Sequence, residues 1–392
     1  MRVKKDTSVV RVGCMAVVLL VAASSAFAYP PDPDNAAMLY YQAFLLDKQP
    51  DEATSQLLDD FVKGTVGPSD KIKEYVQGCR STINYALMAT EREHCNWGIA
   101  YSKGFSASLP HLAQCRRLSK LMLADARLLA AQGAYREALD RCLSTKKLAH
   151  HVGDEIVISF LVVHAIDAIA DDCIREILGM MPPDPQVLQW LKGQLMIVST
   201  PQPSFARSLK LEQEMALDIM RMDRLDELTE ILTGDIESKA KGLPAKIDEE
   251  FLAKNREYYV RYMTAMQATL AAPMSYDKKY AELTTMLDRM TEEAGRSPDA
   301  VLTAAFAPAL NKVYGIDAKA QARANALRVG VELLIAKTQT GALPDRLPAN
   351  MPKDSFSGQD YLYEKTDAGF VLRCQGKDLD KDKLYEFEFK LK

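Results

Sequence analysis

The sequence predicts a mainly α-helical protein built of antiparallel hairpins, with a small antiparallel β hairpin or sheet at its C-terminal end. Apolar residues recur at three and four along most of residues 35–340, the spacing of one helix face. Gly133, Gly153 and the Met-Pro-Pro-Asp-Pro run at 181–185 cut that stretch into lengths typical of globular helices. Beyond Gly341 the pattern changes to three short alternating segments, the period of strands. With 392 residues, 48 % of them hydrophobic and 26 % charged, the chain can bury a sizeable core. Only 19 Gly and 18 Pro exclude collagen-like and low-complexity classes.

The first element is an address. Arg2, Lys4, Lys5 and Arg11 precede an apolar run from Cys14 to Ala23, and Ala26 and Ala28 suit a signal peptidase. Residues 1–28 therefore read as a signal peptide cleaved after Ala28, and the protein as exported, periplasmic or secreted. The run of about 10 residues is short of the roughly 20 that span a bilayer, which predicts no stable membrane insertion after cleavage. Cleavage removes four of 49 basic residues and one of 53 acidic ones, leaving 45 against 52 and a net charge of −7. Dispersed charge of this sign argues against nucleic acid as a partner.

Residues 29–34 (YPPDPD) form a Pro-rich lead-in, and Asp34 or Asn35 can cap a helix over AAMLYYQAFLL. A loop over Gly64–Asp70 leads to a helix from Lys71 to Glu93, and a second loop covers 94–108. Leu109–Gln132, Tyr135–His151, Glu155–Leu178 and Pro185–Ser199 follow as four consecutive helices. A second set covers Ser204–Thr233, Ile247–Ala271, Tyr276–Ala294, Pro298–Tyr314 and Asp317–Thr340. The stretch from Gly234 to Pro244 is the weakest point. It divides a helical body at 35–233 from a second at 245–340, ahead of the β tail at 341–392. In that tail Pro344, Pro348 and Pro352 bar helix, and strands are expected at 361–365, 369–374 and 384–391.

The chemistry is sparse. Cys-x-x-Cys-His and His-Glu-x-x-His are absent, and the five histidines make no standard zinc spacing. His111 and Cys115 share a helix face just after His94-Cys95, a metal half-site at best, and read as a wet loop beside a buried cysteine. Ser144-Thr-Lys-Lys147 fits the serine–lysine pattern, but no Lys-Thr-Gly accompanies it. Adjacent acids such as Asp171-Asp172 point to different helix faces and read as solvated surface, and the stripe Phe251, Tyr258, Tyr259, Tyr262 reads as core. No catalytic or cofactor-binding residue and no cofactor is assigned. Six cysteines follow the leader, an even count that permits disulfides in an oxidising compartment. If helices 71–93 and 109–132 pack antiparallel, Cys95 and Cys115 lie at the same end and form the candidate bridge. Cys142 and Cys173 fall at different heights and are not expected to meet.

Gly133-Ala-Tyr135-Arg-Glu-Ala138-Leu139 resembles the turn of a tetratricopeptide hairpin, with Gly for the tight turn and Ala138 for close approach, although no 34-residue period recurs. Residues 126–170 and 341–378 resemble uncharacterised exported proteins of planctomycete-type bacteria, which join a signal, a helical body and a Pro-rich β tail. That resemblance implies an architecture and no activity. The tail also resembles the C-terminal part of type II secretion pseudopilins through Leu347-Pro348 and Pro352-Lys353-Asp354-Ser355-Phe356-Ser357-Gly358. There an acidic loop holds calcium, and the matching carboxylates here are Asp378, Asp380 and Asp382, a weak candidate because Lys377, Lys381 and Lys383 interleave them. The expected function is a non-catalytic helical scaffold or protein-binding protein of the cell envelope, with another envelope protein as partner. The alternatives are an envelope enzyme whose site is assembled from distant residues, which His, Asp and Glu on facing helices would favour, and a component associated with a secretion apparatus.

Overall fold

The computed structural model describes residues 32–198, 202–234, 243–244, 247–307 and 309–391. The leader and its cleavage point after Ala28 lie outside the described residues. Among those described are fourteen α-helices and one three-stranded sheet. The helices are α1 (Ala36–Leu46), α2 (Glu52–Val62), α3 (Asp70–Gly78), α4 (Arg80–Thr90), α5 (Pro110–Ala131), α6 (Tyr135–Val152), α7 (Val157–Met180) and α8 (Pro185–Ile197). They continue as α9 (Phe205–Ile219), α10 (Leu225–Gly234), α11 (Glu249–Ala271), α12 (Tyr276–Ala294), α13 (Val301–Phe306) and α14 (Leu310–Thr340). The strands β1 (Leu362–Thr366), β2 (Gly369–Arg373) and β3 (Glu386–Lys390) pair in that order, all antiparallel.

Local chemistry sets the ends. The Asn35, Asp51, Ser69, Asp184, Ser204 and Asp248 side chains each accept from a backbone N–H one or two residues into the helix, satisfying donors that have no helical partner. Gly133 takes φ +81 between α5 and α6, and Gly341 ends α14 in the left-handed region at φ +80. The expected helices differ at three places. The helix over 71–93 is two, because Cys79 leaves helical backbone at φ −102, ψ 17. Ser204–Thr233 divides at a 3-10 turn over Met222–Arg224. The break foreseen near Gly315 is missing: α13 stops at Phe306, and α14 runs unbroken through Gly315. A single glycine costs a helix only about 1 kcal/mol, which packing of the flanking turns outweighs.

Two apolar cores organise these elements. The first is built from α1–α8, most of α14 and the sheet, the second from α9–α13, the start of α7 and the start of α14. The cores therefore do not divide at Gly234–Pro244. Helices α9 and α10 belong with those that follow them, because Leu209, Ile219, Leu228 and Leu232 are buried in the same cluster as the α11 residues Leu252, Tyr259 and Met263. Helix α14 returns across α7 and α8 and ties the second set to the first.

The sheet is part of the first core. Strand β3 alternates buried and exposed side chains as its sequence predicts, and it packs on α7 and α14. Phe370 and Phe389 stack at 4.6 Å inside the seat. Helical glycines make room: a β-carbon at Gly179 would collide with the Lys390 carbonyl, and one at Gly330 with the Phe389 ring. Asp354, fully buried, organises the Pro-rich segment by accepting from the Phe356, Gln375 and Gly376 N–H groups and the Ser357 hydroxyl.

Candidate functional site

One helix face carries the site. His164, Asp167 and Asp171 stand three and four apart on α7, in an otherwise apolar run. Across from them on α6 is Lys146, whose ammonium lies 3.0 Å from Asp167 Oδ1 and 2.8 Å from Asp171 Oδ1. Gly153, at a positive φ (φ +83, ψ 166) that glycine adopts without strain, and the extended Ile156 (φ −131, ψ 160) separate the two helices. The register of the two helices brings Cys142 against Cys173, where the sequence reading put them at different heights.

Lys146 is buried, which alone would depress its ammonium, but Asp167 and Asp171 hold it above the ordinary lysine value. Asp171 is buried with it; desolvation pushes its carboxyl up and Lys146 opposes this. One cation thus faces two carboxylates inside the protein. Helix α14 closes the third side. Its Asp317 places Oδ1 3.4 Å from His164 Nε2, and its Arg323 pairs with Asp172 at 3.4 Å. His164 is only 8 % exposed, yet its Nε2 makes no hydrogen bond with any described residue. His150, one turn on from Lys146, is held below the ordinary histidine value by burial.

These side chains line a cavity of about 60 Å³ that is continuous with solvent. Ala168, Ala320 and Ala324 form its apolar wall, and the exposed Gln202 and Gln321 stand at its mouth. Among the described residues no three His, Cys, Asp or Glu side chains are close enough to hold a metal ion. The cavity therefore offers hydrogen-bond acceptors and charge.

The residues singled out from sequence lie elsewhere. Asp378 is buried and accepts from the Asp380 and Lys381 N–H groups and from the Tyr385 hydroxyl at 2.8 Å. Asp380 pairs with Lys381 at 2.8 Å, and Asp382 pairs with Lys377. The three carboxylates are engaged in shaping and neutralising their own turn. Cys95 and Cys115 are neighbours and both are thiols, pushed up by burial, Cys95 to about 12. His111 stacks on Trp97 at 4.8 Å with both ring nitrogens unbonded, and burial pushes it down to about 4. Of the stripe on α11, Phe251, Tyr259 and Tyr262 are buried in the second core as expected, with Tyr258 partly buried against it.

The adjacent acids 171 and 172 do diverge, but not both to solvent. Asp172 is half-buried beside Arg175, whereas Asp171 turns inward to Lys146. The missed signal was in the sequence: His164-x-x-Asp167-x-x-x-Asp171 puts three polar groups on one face of an apolar helix. Its meaning rests on Lys146 and Asp317, which only the tertiary register supplies. Compared with known proteins, the chain matches no family model, no curated protein and no solved structure.

Proposed function

We propose that the protein is an exported helical binding protein of the cell envelope, and that the cleft between α6, α7 and α14 is its recognition site. The observation that carries this reading is the buried Lys146–Asp167–Asp171 group beside an unbonded His164, at the floor of a cavity open to solvent. Buried charge is costly to assemble, and this group faces a cavity open to solvent. The leader and the likeness of residues 126–170 and 341–378 to exported helical proteins support the location, and the turn at Gly133 fits a tetratricopeptide-like hairpin.

The enzyme reading draws on one observation: His164 and Asp317, far apart in sequence, meet on facing helices at 3.4 Å. Against it, Asp167 and Asp171 are both engaged by the Lys146 ammonium, at 3.0 and 2.8 Å. The test is a thermal-shift screen of the chain from Tyr29 against amines, carboxylates, sugars and peptides, repeated on Ala320→Leu, which fills the cavity. Binding lost in the variant supports the cleft as the recognition site. Binding that the variant leaves intact places recognition elsewhere and overturns the reading.

A further inference from the structure

We infer that the cleft takes an organic cation, a primary ammonium or guanidinium head on a short alkyl stem. This rests on the binding reading above and names its ligand class.

Charge comes first. Asp167, Asp171 and Asp317 line the cavity against Lys146 and Arg323, and Arg323 is shared with Asp172 on its outer side. The walls therefore carry more negative charge than positive. A partly desolvated excess of this kind favours a cation over an anion.

Hydrogen bonding agrees. An ammonium has three donors and no acceptor, so it needs acceptors only. Lys146 bonds Oδ1 of Asp167, and Oδ2 of that residue takes no hydrogen bond among the described residues. Asp317 uses Oδ2 to accept from Gln321 at 3.0 Å, and its Oδ1 faces His164 without a hydrogen bond. The His164 Nε2 is 3.4 Å from that oxygen and makes no hydrogen bond with any described residue. A donor entering here would bond carboxylate oxygens on two helices and, in the tautomer protonated at Nδ1, an imidazole lone pair. An anion would meet the same oxygens as repulsion.

Shape selects an organic cation over an inorganic one. Among the described residues no three ligating side chains converge as a metal requires. The cavity of about 60 Å³ has room for a head group. Ala168, Ala320 and Ala324 give an alkyl stem an apolar track toward the mouth at Gln202 and Gln321. Acceptors at the floor and methyl groups along the wall are the complement of an alkylamine.

The test is isothermal titration of the chain from Tyr29 with n-butylammonium and agmatine, against n-butanol and butyrate as neutral and anionic controls of the same stem. Binding of either cation at one site, with a Kd no weaker than about 10 mM, is expected. Butanol and butyrate are expected to give no heat. Asp317→Asn should weaken the cations at least about tenfold. Ala320→Leu should abolish binding by bulk, with matching circular dichroism and Tm to show that each variant folds. If butyrate binds and Ala320→Leu removes it, the cation class fails and the recognition cleft stands. If no compound of any class binds, both fail. Cation binding that neither variant changes also overturns the inference.

Discussion

The Lys146 ammonium of α6 lies 2.8 Å from the Asp171 carboxylate of α7, and neither side chain has more than a sliver of contact with water. An ion pair in that position pins one helix to the other at a fixed register. Removing only the cation leaves the buried Asp171 carboxylate, and the half-buried Asp167 beside it, without compensation, and breaking a buried pair costs about 3–5 kcal/mol. Lys146→Met should therefore lower unfolding stability by that amount in urea denaturation. Lys146→Met with Asp171→Leu should recover part of the loss, because the second change removes one stranded charge.

Acid should weaken the protein in a defined window. Burial pushes His111 and His151 down to about 4, from an ordinary value of about 6.5. Between those values the unfolded chain binds protons that the folded chain refuses, so stability falls as pH drops from about 6.5 toward 4. Their contribution levels off below about 4. Melting curves at successive pH values should show the decline, and His111→Phe, which keeps a ring against Trp97, should make it shallower.

The glycine seats of the sheet give a steric prediction. Gly330→Ala puts a methyl group into the Phe389 ring, and overpacking of this kind costs about 1–3 kcal/mol. The loss should be local as well as global, with limited proteolysis cutting first within residues 341–391. Phe389→Ala empties the same seat and should cost about 3–5 kcal/mol.

Asp354 should behave as a structural carboxylate. Asp354→Ala leaves three N–H groups and the Ser357 hydroxyl without their acceptor, and one buried unsatisfied donor costs about 1–3 kcal/mol. Chemical denaturation should register a loss of at least that size. The Asn variant, which keeps one acceptor oxygen, should fall between wild type and Ala.

Burial raises the thiols of Cys79, Cys95, Cys115, Cys142 and Cys374 above the ordinary value, and a protonated thiol is a poor nucleophile. The folded chain from Tyr29 should react slowly with Ellman's reagent at pH 8, and its cysteines should titrate promptly once unfolded. Immediate reaction of several thiols in the native protein would contradict their burial.

Helix existence was legible because it is written in local periodicity; the span Tyr276–Ala294 agrees at both ends. Breaks were harder. Cys79 interrupts one helix and Gly315 fails to interrupt another, because neighbouring packing overrides a weak local preference. The cleft was legible only in part. The i, i+3, i+7 set of His164, Asp167 and Asp171 can be read from one helix, whereas its counter-charge and its third wall depend on how α6 and α14 slide against α7. The make-up of the two cores was not legible for a related reason: a gap in the helical pattern such as Gly234–Pro244 does not say which neighbours an amphipathic face will choose.

The seating of β3 on α7 and of α14 on α7 and α8 has a consequence for the order in which the protein can form. The first core joins helices that begin at Ala36 to a strand that ends at Lys390, so its closing contacts span most of the chain. Synthesis delivers the N-terminal helices first. Until α14 and the sheet arrive, the faces of α7 and α8 that they cover stay open, and folding must wait on long-range closure instead of proceeding hairpin by hairpin. A chain stopped before Leu310 would thus carry eight nearly complete helices around a half-built core, the kind of species that chaperones hold and proteases clear.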